Sequence, residues 1–293
     1  MRFRLIAEEK ANYPVVVLCE VLQVRRSGFY AWLKREPSAR ARSNTAARVH
    51  IRTVYRRHKG RYGYPRIYRE LQGQGMRVGR HRIARLMRLE GLRGTSKRRF
   101  RLTTNSKHGH PIAPNRLRRR FKARRPNQVW LSDITYIPTT EGFLYLSCFL
   151  DLYSRRIVGW AIDETLEAAA TCKALLRASA HRLPPRGLTV HSDRGVQYAG
   201  GDFQRLLRQR GYVCSMSRKG NCWDNAPMES FFGTLKRELP LQKPWTNKQA
   251  AEADIAAYLT YYNQERRHSA LGYLSPLVYE AKLLSKPLST EPG

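Results

Sequence analysis

The sequence predicts an α/β core, a mixed five-stranded sheet with flanking helices, preceded by all-α helix-turn-helix units. Three observations predict it. At Asn127 short helical stripes give way to strand-length segments rich in β-branched and aromatic residues. The segments then follow in the order βββ-α-β-α-β-α, the grammar of a sheet covered by helices. Charge divides at the same place: residues 1–125 hold 35 Lys and Arg against 6 Asp and Glu, while residues 126–293 hold 20 against 16.

A chain of 293 residues with 42% hydrophobic content has room for about two domains and a real core. An N-terminal half this dense in Arg repels itself unless a polyanion neutralises it, and double-stranded DNA does so with release of condensed counterions. An anionic membrane surface is the competing partner. Against it, the Arg residues are interleaved with helix breaks rather than gathered on one amphipathic helix. No run of about 18 apolar residues occurs and "MRFRLIAEEK" lacks a signal-type apolar segment, so a soluble cytoplasmic protein with no membrane partner is expected. The five Cys are scattered without a CxxC, which argues against both a structural zinc and a disulfide framework.

In the first unit Val16, Leu18, Cys19 and Leu22 predict a short helix. Ser27 is expected to cap a second one over Gly28–Lys34, with Arg25 and Arg26 at its entrance. A Pro/Ser/Ala/Arg stretch at 37–46 reads as a linker. A helix ending near "HKGRYGYP", another over Arg66–Gln72 and a third over His81–Leu89 closed by Gly91 make the second unit. Ile83, Leu86 and Met87 are expected inside, with Arg80, Arg82, Arg85 and Arg88 outward to meet phosphates and guanine edges. A generic basic three-helix bundle would bind phosphate too, so groove reading stays open at this point. Residues 95–125 read as an extended basic tether.

"QVWLSDITYIPT", "FLYLSCFLDLYS" and "RIVGWAIDE" predict an antiparallel meander with turns at Glu141–Gly142 and Ser154. Glu164–Arg182 reads as a helix with an acidic first turn of Asp163, Glu164 and Glu167. "GLTVHSD" is a strand, Asp202–Gln209 a helix and "GYVCSMS" a strand. "NAPMESFFGTLKRE" follows as a helix: Met228, Phe231, Phe232 and Leu235 form its apolar stripe, with Asn225 as N-cap and Pro227 in the first turn. A last helix covers roughly Lys248–Asn263.

Three acids separate from the others. Asp133 sits in an apolar strand, Asp193 at a strand's carboxyl end, and Glu229 on the helix face it shares with Gly233 and Lys236. A carboxylate on a core element costs several kcal/mol to desolvate unless a cation compensates it. Hard oxygen ligands with open positions suit Mg²⁺, with Mn²⁺ as a surrogate, and two ions about 3.5–4 Å apart clamp an in-line phosphoryl displacement. Each acid also has a local reading: Asp133 satisfying a turn, Asp193 capping a loop, Glu229 pairing with Lys236. Asp151 is either a strand-end turn residue or a support for the first ligand. His191 and Ser192 read as structural, whereas Asn263, Arg266, Arg267 and His268 divide between DNA contact and capping.

The segments "HSDRGVQY", "SMSRKGNCWDNAPMESFFGTLKRE" and "YYNQERRHSALGYLSP" carry a resemblance. Asp193 and Glu229 have 35 residues between them and Lys236 lies seven past the Glu, which resembles the DD(35)E signature of the retroviral-integrase-like transposases. More specifically, the chain resembles the second open-reading-frame product of IS3-family insertion sequences. It departs in Trp223, where that family often has tyrosine, and residues 1–60 show no heptad run.

The resemblance implies a ribonuclease-H-like fold with Asp133, Asp193 and Glu229 as the metal-binding catalytic triad and Lys236 on the element's terminal DNA. It implies hydrolysis that frees a 3′-OH, then strand transfer into target DNA, without ATP or a covalent enzyme–DNA intermediate. A homo-oligomer on DNA is implied as well, as is fusion to or help from the upstream reading-frame product, in a bacterial cytoplasm and nucleoid. The expected units are 1–36 and 45–95 for DNA binding, 96–125 as basic linker, 126–240 as catalytic core and 241–293 completing it. The alternatives are a DNA-binding regulator with an inactive core and a simple ribonuclease-H-like nuclease.

Overall fold

The computed structural model describes residues 1–95, 109–239 and 245–284. The chain divides into two compact units, Met1–Arg93 and Gly94–Gly293.

The first unit opens with a helix the sequence reading missed, α1 (Arg2–Glu9), followed by α2 (Val15–Val21) and α3 (Arg26–Lys34). Ile6, Cys19 and Phe29, one from each, close a small core with Phe3, Leu22 and Trp32 around it. The turn between α2 and α3 uses a left-handed Gln23 (φ 51°) and a bond from Val24 N–H back to the Cys19 carbonyl. It closes early enough that α3 starts at Arg26, so Arg25 holds the N-cap position and Ser27, expected there, lies inside the first turn. Both Arg25 and Arg26 are exposed.

The expected linker at 37–46 is mostly helix: α4 runs Ala39–Arg57. Ala and Arg are strong helix formers, and the Ser38 hydroxyl caps the helix by accepting from Ala41 N–H at 3.1 Å. With α5 (Tyr64–Gly73) and α6 (Arg80–Leu89) it buries Ile51, Ile67, Leu71, Ile83, Leu86 and Met87. On α6, Arg80, Arg85 and Arg88 are exposed. Arg82 is instead drawn back onto α4, donating to Asn44 Oδ1 and Ser43 Oγ at 2.8 Å each.

The second unit is a five-stranded sheet ordered β3-β2-β1-β4-β5. The strands are β1 (Val129–Thr139), β2 (Gly142–Asp151), β3 (Ile157–Asp163), β4 (Thr189–Ser192) and β5 (Val213–Met216). β1, β2 and β3 pair antiparallel; β4 runs parallel to β1 and β5 parallel to β4. Side chains alternate between two cores, as a strand's period of two requires. Trp130 and Phe149 pack under α7 (Ala168–Arg182), α8 (Val196–Ala199) and α9 (Gly201–Arg210), beside Leu175, Tyr198 and Phe203. Leu131, Cys148 and Leu150 pack on the other face under α10 (Ala226–Glu238) and α11 (Lys248–Gln264), beside Phe231, Leu235 and Tyr258. A short helix at Val196–Ala199 and a final one, α12 (Pro276–Leu284), were not foreseen.

Helix α7 begins at Ala168 rather than Glu164, because Asp163 Oδ1 accepts from Thr165 N–H at 3.1 Å and holds a turn there. The supposed acidic first turn therefore lies outside the helix, and Glu164 pairs with Lys248 at 2.6 Å. Close packing of α7 on β3 depends on Gly159: a Cβ there would lie 2.5 Å from the Ala174 carbonyl oxygen and from Ala178 Cβ. Gly159→Ala is accordingly expected to destabilise the fold by about 1–3 kcal/mol, read as a lowered midpoint in denaturant at unchanged slope.

Part of the expected tether, 96–108, lies outside the described residues. From residue 109 on the chain is a strap on the core rather than a free extension. Leu117 is buried, Arg116 N–H donates to Ser215 Oγ at 3.0 Å, and Asn115 and Arg119 both bond to Asp224 at 2.8 Å. Arginine density hid this, because the strap's partners lie about a hundred residues away in sequence.

Of the C-terminal cluster, Arg266 and Asn263 serve the core. Arg266 is buried and forms a two-pronged ion pair with Glu238 (2.7 and 2.8 Å), to which Tyr258 OH also donates. The Asn263 side chain accepts from Ile157 N–H at 2.9 Å and donates to the Ile157 carbonyl at 2.8 Å, occupying the outer edge of β3. Asp151 ends β2 by accepting from Asn127 and Tyr153 N–H, with Arg182 at 3.5 Å, which is the turn reading. Among the described residues no helix is long and apolar enough to cross a membrane.

Candidate active site

The strand register brings the two aspartates level. Leu131 on β1 stands opposite His191 on β4, and the strands are parallel, so Asp133 and Asp193 both lie two residues further along adjacent chains. Leu131 belongs to the core under α10, and Asp133, two residues on, projects from that same face. Helix α10 lies across it. Met228, Phe231, Phe232 and Leu235 are buried, Pro227 stiffens the first turn, and Glu229 and Lys236 remain half-buried on the adjacent face.

Asp133 Oδ1 accepts from Ile134 N–H at 2.9 Å, and Asp193 Oδ1 accepts from Gly195 N–H at 2.9 Å. Burial first, and then the charge of Asp193, hold the Asp133 carboxyl well above the usual carboxylate range. Glu229 pushes the same way, while the Ile134 N–H and Lys236 pull against it. Burial raises Glu229 as well, and it lowers Lys236, a loss that Asp133 partly offsets. Asp133 therefore feels the charge of both other acids across a partly desolvated space. As they stand, no three His, Cys, Asp or Glu side chains among the described residues are grouped closely enough to enclose a metal ion.

A 3-10 turn, Cys222–Asn225, joins the elements that carry these acids. Its Asp224 carbonyl lies 3.1 Å from His191 Nε2 on β4, and the Asn225 amide donates to the Ser132 carbonyl on β1 at 3.1 Å. His191 is buried, its pKa lowered to about 4 chiefly by desolvation, so it stays neutral. The Asp224 carbonyl can only accept, so neutral His191 carries its proton on Nε2 and its Nδ1 accepts from the Ser215 hydroxyl at 2.8 Å. His191 and Ser192 are thus structural, as read from sequence. The Asp224 side chain is fully buried and bonds Arg218, Arg119 and Asn115. The Arg218 guanidinium, above all, pulls its carboxyl far below the usual range.

Asp224 and Glu238 escaped the sequence reading, and Asn225, expected to cap α10, holds the N-cap position without a side-chain capping bond. For Glu238 a signal existed: three residues past Leu235, it continues the apolar stripe of α10, a position where a carboxylate needs a buried partner. For Asp224 the sequence shows only Arg218, six positions back, because Asn115 and Arg119 are 109 and 105 positions away.

Comparison with known proteins places the chain in a family. Residues 123–222 and 210–276 match the integrase core domain, and residues 42–100 match an HTH-like domain. An uncharacterized 31 kDa protein of insertion element IS600 from Shigella sonnei is 45% identical over 266 residues, 90% of this chain and 98% of its own. Transposase InsF of insertion sequence IS3A from Escherichia coli is 38% identical over 290 residues, 97% of this chain and 100% of its own. Among solved structures, the HTLV-2 integrase catalytic core domain in complex with magnesium aligns with 54% of this chain and 99% of its own, at 17% identity and a TM-score of 0.43. On the strength of relatives matched over nearly their whole length, and of an integrase core preceded by an HTH-like domain, the chain belongs to the IS3 family of insertion-sequence transposases.

Proposed function

We propose that the chain is a DDE-type DNA transposase, a polynucleotidyl transferase that cuts at element ends and joins them to target DNA. The observation that carries this is the approach of three acids from β1, the end of β4 and α10 to one face of the sheet, where Asp133 feels both of the others. The donor set is oxygen only and carries surplus negative charge, which fits Mg²⁺, two ions, with Mn²⁺ as a surrogate. Asp133 and Asp193 would hold metal from neighbouring strands, and Glu229 completes the set from α10 with a change in its side-chain position. Bound there, the ions supply positive charge to the attacking and leaving oxygens of an in-line displacement.

The rest is the work of this chain's own groups. Water attacks the phosphodiester at the element end, the bond to the 3′ oxygen breaks, and a free 3′-OH leaves; that hydroxyl then displaces a 3′ oxygen in target DNA. Lys236, two turns along α10 from Glu229, holds the terminal backbone. Gly233 lies between them, and a Cβ there would meet only the Arg237 guanidinium at 3.4 Å, so a phosphate backbone can lie against this face. Residues 1–36 and 45–95 bind DNA, through Arg25 and Arg26 and through the exposed Arg80, Arg85 and Arg88 of α6, with Arg82 more a brace than a contact. The catalytic unit is 126–240, completed by 241–293, and the working form is a homo-oligomer on DNA in the bacterial cytoplasm, assisted by or fused to the upstream reading-frame product.

The test uses purified protein, Mg²⁺ and labelled duplex element ends. Nicking joined to strand transfer supports the proposal. Binding without cleavage favours the regulator, and hydrolysis of RNA–DNA hybrids without joining favours the simple nuclease. For the DNA-binding unit, Arg85→Ala and Arg88→Ala are each expected to weaken binding to any duplex and to reduce the slope of log K against log salt by about 1. An unchanged slope removes that arginine from the interface.

A further inference from the structure

Three carboxylates that approach without enclosing an ion make their spacing the controlling variable, and one side chain ties the elements that carry two of them. Asn225 occupies the N-cap position of α10, four residues before Glu229, yet its side chain makes no capping bond. It turns its amide N–H to the carbonyl of Ser132, the residue before Asp133. Because a carbonyl accepts only from a donor, the amide oxygen must point the other way. There it is buried and has no partner among the described residues. An unpaired buried acceptor costs about 1–3 kcal/mol, a cost that ordinary capping by the same side chain would avoid. What Asn225 gains for the fold is the tie between α10 and β1.

We propose that Asn225 is a positioning residue: by pinning the start of α10 to β1 it sets Glu229 against Asp133 and so sets the affinity of the acids for divalent metal. The inference rests on reading Asp133, Asp193 and Glu229 as metal ligands. Asn225 touches neither DNA nor metal in this role, and its effect passes through the backbone of Ser132 and the first turn of α10. Its loss loosens the third ligand without removing it, so metal binding weakens while the chemistry, once metal is bound, persists.

The test compares wild type, Asn225→Asp, which keeps the shape but loses the donor, Asn225→Ser, which is too short to reach Ser132, and Asp193→Asn. Mn²⁺ binding by water-proton relaxation, the Mg²⁺ dependence of end cleavage and the thermal melt of the metal-free chain are read for each. Both Asn225 variants are expected to bind Mn²⁺ about tenfold more weakly and to need about tenfold more Mg²⁺ for half-maximal cleavage, the lower end of the cost of losing a group that supports a ligand. At saturating Mg²⁺ their rates return close to wild type. Unchanged Mn²⁺ affinity in both variants, with Asp193→Asn inactive, overturns the role of Asn225 and leaves the triad standing. A lowered melt and a lowered maximal rate in both, without a shift in metal requirement, overturns it too by reducing Asn225 to a fold residue. Cleavage surviving in Asp193→Asn overturns the triad and this inference with it.

Discussion

Asp193→Asn is expected to lower end cleavage and strand transfer by more than about 100-fold, since 10–100-fold is the cost of losing a group that merely supports a metal ligand. The substitution keeps the side chain's shape and its acceptor for the Gly195 N–H, so the turn after β4 is retained and the fold with it. What disappears is one negative charge from a cluster in which Asp133 is already pushed upward by its neighbour. Without that charge the cluster holds its cations less well, and Asp133 ionises more readily. Duplex affinity is expected to equal or exceed wild type, because a negative charge facing phosphate is gone. Labelled element ends report both quantities, by cleavage with Mg²⁺ and by retention without it. Cutting at the wild-type rate would remove Asp193 from the chemistry.

The largest effect on stability is expected from Arg266→Ala. The guanidinium is 4% exposed and the Glu238 carboxylate 2%, so truncating one partner strands the other charge out of water. Breaking such a buried pair costs about 3–5 kcal/mol, a large fraction of a domain's stability. The hydroxyl of Tyr258 stays on Glu238 but brings no charge. Replacing both partners together, Arg266→Met with Glu238→Leu, is expected to recover most of the loss, because the pair's own desolvation cost goes with it. Equilibrium unfolding of the full chain measures each variant. If Arg266→Ala unfolds like wild type and loses DNA affinity instead, Arg266 belongs to the DNA contacts and not to the core.

The sheet was legible because its strands announce themselves by apolar, β-branched runs broken at Gly142 and Ser154, and α10 because Met228, Phe231, Phe232 and Leu235 repeat at helical spacing. Helix α1 was not, since "RFRLIAEE" buries a single residue, Ile6, and looks like any charged terminus. The linker at 37–46 misled in the opposite sense: Ala and Arg in a row look like filler, yet both favour helix once Ser38 caps it. Residues 109–125 read as tether because composition reports charge but not the partner that absorbs it, here the buried Asp224. For the acids, residue types and spacing were in the sequence. Their approach was not, because it depends on the register of Leu131 against His191 and on the turn at Cys222–Asn225.

The Asn263 amide on Ile157 has a consequence beyond the monomer. A sheet's terminal strand offers unpaired N–H and C=O groups that recruit any extended chain nearby. Here one side chain imitates the missing neighbour with a matched donor and acceptor, at 2.8 and 2.9 Å, and Arg177 covers the Trp160 carbonyl three residues along. The outer edge of the sheet is thereby guarded against pairing, strand upon strand, with any extended chain that comes near it.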